Sequence, residues 1–378
     1  MGSFLGALSS VPAPVLGSLA IQAALDSAAI PGSDVDEVFM GNVLQAGLGQ
    51  APARQAAMNA GIPDTVPCTT VNKVCSSGMK ALHLAANAIA LGQVDTVVAG
   101  GMENMSSVPH YLQGRSGVKL GNIKAVDGMV LDGLTDVYNQ QHMGVCAELC
   151  AREHDFSRED QDAFAIESYR RSGQAWKEGA FNEEVTPVPV PQRKGDPVMV
   201  REDEEFRNVK LDKIPQLRPV FDKEGSVTAA NASTLNDGAS ALVLMAEEVA
   251  VAKGLKPLAR ILSNADAARD PDRFTIAPSK AVPIALERAG KRIEDMELVE
   301  LNEAFSVVGL ANTKLLGLDP AIVNVHGGAV SLGHPLGSSG SRIVVTLIHA
   351  MHRHGKRLGL AGICNGGGGA SAMVIERM

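Results

Sequence analysis

The segment Val71-Asn72-Lys73-Val74-Cys75-Ser76-Ser77-Gly78 joins a strand-like run, residues 68–74, to a helix-like one, residues 77–91. Leu82, Ala85, Ala86 and Ile89 recur at three- and four-residue spacing, the period of one helical face. A buried strand at 96–99 follows and closes on Gly100-Gly101, and a further strand at 36–40 precedes the whole. Strand, helix and strand in succession is the unit of parallel sheets with crossover helices. The tail of the chain restates it. Residues 322–325 read as a strand, and Ser338-Ser339-Gly340 opens a helix that runs to His352. A strand at 358–363 then ends in Cys364-Asn365 and the run Gly366-Gly367-Gly368-Gly369, with a last strand at 370–376. One such unit in each half predicts a duplicated α/β fold.

The middle of the chain breaks this rhythm. Residues 107–233 carry Pro187, Pro189, Pro191 and Pro197 and a charged stretch at 201–207. One helix, residues 158–177, is expected inside it, with Ser157 as N-cap and Asp160 in its first turn. Irregular segments mounted on a rigid scaffold commonly present binding surfaces. The chain therefore divides into an N-terminal half (1–106), a loop-rich ligand-binding segment (107–233) and a C-terminal half (234–378).

Composition narrows the function. Of the 378 residues, 45% are apolar and only 3% aromatic, and glycine is abundant at 39, which favours closely packed layers. A net charge of −8 argues against a general nucleic-acid binder. No apolar run approaches the roughly 20 residues of a membrane span. No Lys or Arg precedes Arg54, so neither a secretory nor an Arg-rich transit segment is expected. Five scattered cysteines, Cys68, Cys75, Cys146, Cys150 and Cys364, fit reduced thiols better than a disulfide framework. Cys146 and Cys150 lie four apart on a helix with no matching pair, and are expected to be buried rather than metal-ligating.

Four short segments hold side chains suited to chemistry. Cys75 stands where a strand meets a helix, and unpaired amides at a helix N-terminus favour a thiolate. Position alone leaves a buried structural thiol equally open. His334 lies in Gly327-Gly328-Ala329-Val330-Ser331-Leu332-Gly333-His334-Pro335-Leu336-Gly337, a glycine-rich loop suited to activating a nucleophile. Cys364 precedes four glycines, whose entropic cost is understandable where backbone N–H groups approach a ligand. Asn302-Glu303-Ala304-Phe305 follows an apolar strand at 298–301 and offers an amide at a strand end.

Taken together and in order, these segments resemble the thiolase family, as do Ala229-Ala230-Asn231-Ala232-Ser233 and Asn236-Asp237-Gly238-Ala239. Gly41-Asn42-Val43-Leu44-Gln45 and Asp132-Gly133-Leu134-Thr135-Asp136 are most similar to its short-chain, mitochondrial-type acetoacetyl-CoA branch. The resemblance implies a five-layered αβαβα fold of two similar halves with a loop-rich insertion. It implies acetyl-CoA C-acetyltransferase activity, with Cys75 as the acylated nucleophile, His334 activating it and Cys364 as the second acid/base. Oxyanions would be met by His334 with a water held by Asn302, and by the N–H groups of Cys75 and Gly366. Tyr169, Asn208, Lys213 and Ser233 would bind CoA, with His142 and Met143 near the acyl end. A potassium ion would be held by Tyr169, Ala229, Ala230, Ala232 and Val330. The substrates implied are acetyl-CoA, acetoacetyl-CoA and CoA, without a tightly bound cofactor, and the assembly implied is a homotetramer made of two dimers.

Two features depart from the family. The opening strand and Arg-Thr-Pro usually found before the counterpart of Gly2-Ser3-Phe4 have no equivalent, so the first sheet is expected to lack that strand. Thr275 follows Phe274 where members accepting 2-methylated substrates tend to carry proline. The alternatives are a degradative 3-ketoacyl-CoA thiolase of broad chain length and an inactive acyl-CoA- or lipid-binding relative. A bacterial cytoplasm is the expected location, with a mitochondrial matrix as the alternative.

Overall fold

The computed structural model describes residues 1–115 and 117–378. In chain order its main elements are β1 (Gly2–Ser3), α1 (Ala13–Ala28), β2 (Glu37–Gly41), α2 (Pro52–Asn59), β3 (Cys68–Val71), α3 (Ser77–Ala90) and β4 (Thr96–Asn104). Two helices of the central segment follow, α4 (Met143–Glu153) and α5 (Arg158–Lys177). The remainder is β5 (Asn236–Met245), β6 (Ala259–Ala268), α6 (Pro278–Ala289), β7 (Leu298–Leu301), α7 (Ser306–Leu316), α8 (Leu336–Arg353), β8 (Leu358–Asn365) and β9 (Gly369–Arg377).

The strands form two large sheets. The first has the order β1-β5-β4-β2-β3, with β2 parallel to both β3 and β4, and β5 antiparallel to β4. The second runs β6-β9-β8-β7, with β7 and β8 parallel and the other pairs antiparallel. Helices α1 and α2 cover the outer face of the first sheet, α6 covers the outer face of the second, and α3 and α8 lie between the two. This is the αβαβα sandwich, and its main core sits in the middle layer, where Met79, Leu82, Ile343, Leu347, Met351 and Met373 are fully buried.

The two central helices meet through missing side chains. A Cβ on Gly78 would lie 2.6 Å from Ser341 Oγ, and one on Gly340 only 2.5 Å from the Met79 nitrogen. So close a crossing sets the N-termini of α3 and α8 side by side, and with them Cys75 and His334, which immediately precede those helices.

Several sequence expectations are corrected. The first strand of the opening segment stops at Val71 rather than running to residue 74, because Val74 has a left-handed backbone (φ 47°) that no strand accommodates. Residues 322–325 are not a strand. Pro320–Ile322 is a short 3₁₀ turn and Asn324 is left-handed (φ 47°), leaving a single bridge between Val323 and Val299. The strand at 96–99 continues through Gly100-Gly101 to Asn104. The division at residue 234 also falls in the wrong place for the sheets: β5 lies beyond it yet pairs along the whole of β4 in the first sheet. The segment 107–233 is thus inserted within the first half. Helix α5 forms as expected, with Ser157 and Asp160 making a reciprocal capping box.

Candidate active site

Cys75 sits on a tight elbow between β3 and α3. The Val74 N–H donates to Asn72 Oδ1 (2.9 Å), and Ser77 Oγ accepts from the Lys73 N–H (2.8 Å) while donating to the Val74 carbonyl (2.5 Å). These local bonds hold a β-branched residue at positive φ, a strained arrangement that persists where the surroundings over-determine it. Cys75 itself is buried. Burial pushes its thiol up to about 11, although N–H groups of Gly366 and of Cys75 itself reach the sulfur and oppose the rise. The helix terminus therefore does not deliver a resting thiolate, contrary to the sequence expectation, and a base is needed.

His334 is the candidate for that base. Its N–H donates to Asn236 Oδ1 (2.8 Å), and its Nδ1 lies 2.5 Å from Ser339 Oγ. Ser339 has one hydroxyl proton, which it donates to the Pro335 carbonyl (2.9 Å). The serine oxygen must then accept from His334, which puts the imidazole proton on Nδ1 and leaves a lone pair on Nε2. That Nε2 is buried and has no partner among the described residues. Burial, helped by Arg342, brings His334 down to about 3, so the ring is neutral at any working pH.

The second half supplies the rest. Cys364 is fully buried near the end of β8, and burial followed by the proximity of Cys75 raises its thiol well above the usual range. After Asn365 the chain turns back into β9 through Gly367 and Gly368, both at positive φ (81° and 87°). Those glycines serve the turn, whereas Gly366 lies against the elbow, where a Cβ on it would stand 3.6 Å from Val74 Cγ1. Asn302 follows β7, and its N–H donates to the Gly362 carbonyl on β8 (3.0 Å). Both polar atoms of its side chain are buried with no partner among the described residues, an arrangement that suits a bound water or substrate oxygen.

Other expected residues fall in two groups. Met143 reaches the site, since a Cβ on Gly366 would lie 3.4 Å from its sulfur. His142 stacks on Phe221 with centroids 4.7 Å apart, and Ser233 Oγ donates to the Ala304 carbonyl (2.8 Å) next to Asn302. Tyr169, Ala230 and Val330 pack into one buried cluster, while Ala232 bridges to Phe305. Ala229 lies on the exposed side of the same turn. Asn208 and Lys213, by contrast, are exposed. The Asn208 amide donates to Ser3 Oγ (3.0 Å), and Lys213 stands 3.9 Å from Asp212.

Sequence reasoning missed the supports. Ser339 fixes the histidine tautomer, and only its place five residues after His334 in the first turn of a helix hints at this. Glu103, fully buried at the end of β4, accepts from the N–H groups of Val43, Leu44 and Gly337 and from Asn42 Nδ2, tying the first sheet to the start of α8. Burial lifts its carboxyl to about 7 against those four bonds. Glu303 does the same for the Asn302 turn, accepting from Ser168, Asn324 and the Val330 N–H.

Comparison with known proteins bears on the family and the fold. Residues 1–248 match the family model described as thiolase, N-terminal domain, and residues 255–377 match thiolase, C-terminal domain. An acetyl-CoA acetyltransferase of Schizosaccharomyces pombe is 55% identical over all of this chain and 96% of its own. The mitochondrial acetyl-CoA acetyltransferase of Rattus norvegicus is 56% identical over all of this chain and 89% of its own. Among solved structures, the Acat5 thiolase from Ascaris suum in complex with coenzyme A superimposes with a TM-score of 0.95 at 49% identity, covering 100% of this chain and 97% of that one.

Proposed function

The chain belongs to the thiolase family, and from that premise we propose that Cys75, His334 and Cys364 carry its reversible Claisen chemistry. The activity is that of an acetyl-CoA C-acetyltransferase, joining two acetyl-CoA molecules into acetoacetyl-CoA and CoA, with thiolysis as the reverse. The observation that supports these roles best is the unpartnered Nε2 of a neutral His334 in a site holding two protonated thiols.

His334 Nε2 takes the Cys75 proton as the sulfur adds to the thioester carbonyl. The developing oxyanion meets the N–H groups of Cys75 and Gly366, and collapse expels CoA thiolate, which takes the Cys364 proton to leave acetyl-Cys75 and a Cys364 thiolate. Cys364 then removes an α-proton from the second acetyl-CoA. The enolate oxygen faces protonated His334 and a water held by Asn302, while the enolate carbon attacks acetyl-Cys75 and releases its thiolate. Asn208 and Lys213, at the surface, are assigned to the polar end of CoA. Tyr169, Ser233, His142 and Met143 are assigned to the path inward within the segment 107–233. Thiolysis of acetoacetyl-CoA and of 3-ketohexadecanoyl-CoA tests the substrate reading. A clear preference for the short substrate is expected, and comparable rates would favour the broad-range degradative alternative.

The residues expected to hold potassium fit it. Tyr169 and Val330 are buried together with Ala230, and the carbonyls of Ala229, Ala230 and Ala232 accept no backbone N–H among the described residues. Neutral oxygens of this kind suit a large monovalent cation, which when bound would supply charge beside the Ser233 turn. Thiolysis should run several-fold faster in potassium than in sodium buffer, and equal rates would sink the assignment. For assembly, exposed Leu112, Leu120 (96% exposed), Ile123, Val137 and Tyr138 in the central segment support a homotetramer, which light scattering of the purified chain would weigh directly. Five free thiols support a reducing compartment, taken here as the cytoplasm, and cell fractionation tests that choice.

A further inference from the structure

Outside the groups that meet substrate, one charged cluster spans the two halves of the molecule. Lys73, two residues before Cys75, sends its ammonium across to the second sheet. It donates to Asp266 Oδ1 on β6 (2.6 Å) and, at the start of β9, to Ser371 Oγ (2.8 Å) and the Ala370 carbonyl (3.0 Å). An ammonium has three protons, and these three acceptors use all of them. Asp266 is held in turn by Lys80 Nζ (2.7 Å) and Ser371 Oγ (2.6 Å), with the fully buried His83 at 3.6 Å. Burial opposes ionisation of Asp266, but the nearby His83 and hydrogen bonds from Lys73, Lys80 and Ser371 keep its carboxyl far below the usual range.

The endpoints matter because of what they carry. Lys73 belongs to the strained elbow that presents Cys75. Ala370 and Ser371 begin the strand that leaves the Cys364–Gly369 turn, which carries the second thiol and Gly366; the glycine packs against Val74 of the elbow, and its N–H lowers the Cys75 thiol. The other tie between elbow and turn is Ser76 Oγ, donating to Asn365 Oδ1 (2.9 Å). That bond grips the Cys364 side of the turn, so Lys73 grips the opposite side, and together they fix how the nucleophile faces the oxyanion donor.

We propose that Lys73 and Asp266 are positioning residues that set the register of Cys75 against the Gly366 N–H across the interface between the two halves. This rests on Cys75 being the acylated nucleophile. With the ammonium removed, the elbow keeps only its local bonds and the Ser76 tie, and the Gly366 N–H drifts from the sulfur. An oxyanion donor works only when placed before the charge develops, so the loss falls on the acylation step rather than on CoA binding.

The experiment follows acetylation of Cys75 by acetyl-CoA with rapid-quench intact mass, together with steady-state thiolysis, in the full-length chain. Lys73→Met should lower the acetylation rate and kcat about 10- to 100-fold, within the range for one misplaced oxyanion donor, with KM for CoA within about twofold. Asp266→Asn should match it, and the double variant should lose little more, because the two act as one unit. Lys73→Arg, charged but unable to place three donors at one point, should fall between. The pH profile of Cys75 alkylation should move upward in Lys73→Met, as expected when a stabilising N–H leaves the thiolate. Rates are referred to active sites counted by the final acetyl adduct, so a variant that merely folds poorly loses amplitude and not rate. A wild-type rate and an unmoved alkylation profile in Lys73→Met would overturn the proposal. Absence of any adduct on wild-type Cys75 would instead defeat the nucleophile assignment beneath it.

Discussion

Cys75→Ala should form no acetyl adduct (roughly +42 Da) with acetyl-CoA and should lose thiolysis by about 10⁴-fold or more, while remaining folded. The size of the effect follows from covalent catalysis: without the sulfur there is no carrier, and water or CoA must attack a thioester unaided. His334→Ala should come close to it, since the Cys75 thiol, held near 11, yields few thiolates at neutral pH without a base beside it. Cys364→Ala should separate the two half-reactions. CoA leaves as a competent thiolate, so acetyl-Cys75 still accumulates, but no group remains to take the α-proton and condensation stops. Mass spectrometry of the three variants beside wild type distinguishes these outcomes. An adduct surviving in Cys75→Ala would move the nucleophile to another thiol, and Cys364 is the one already within its influence.

Cys75, His334, Cys364 and Asn302 stand out in the sequence as candidates because each lies in a short run whose neighbours are constrained along the chain. The N–H groups around a sulfur, a glycine turn or a strand end are local facts. What was not legible depends on contacts distant in sequence. Burial of Cys75 by residues from both halves reverses the effect expected of a helix terminus. The free lone pair of His334 depends on which carbonyl takes one serine proton. Strand β5 was assigned to the wrong half because antiparallel pairing with β4 spans more than 130 positions and leaves no periodic trace, as Asn104 opposite Asp237 shows. The charged cluster at Asp266 is a further case: nothing beside Lys73 and Lys80 along the chain points to their partners on β6 and β9.

Gly101→Ala should be among the most damaging single-methyl additions to the chain, lowering stability by about 3 kcal/mol or more and slowing whatever fraction folds. A Cβ at residue 101 would fall 2.0 Å from the Gly337 carbonyl oxygen and 2.9 Å from Ser338 Cα. Both are backbone atoms, so no rotamer change relieves the overlap and α8 must retreat from β4. That retreat would pull the Gly337 N–H from Glu103 and carry with it the His334 turn three residues earlier. Gly92→Ala is the matched control. It has nothing within 4 Å of a new Cβ and a left-handed φ of 66°, so it bears backbone strain alone, about 1 kcal/mol. Thermal melts of the two variants, with kcat per titrated site, test the comparison. Equal destabilisation would mean that the sheets yield where they touch α8. A larger loss in Gly101→Ala, together with a lower kcat, would show that the abundance of small residues in this chain serves catalysis as well as packing. The same missing side chains let α3 and α8 approach, and Cys75 and His334 stand at the heads of those two helices.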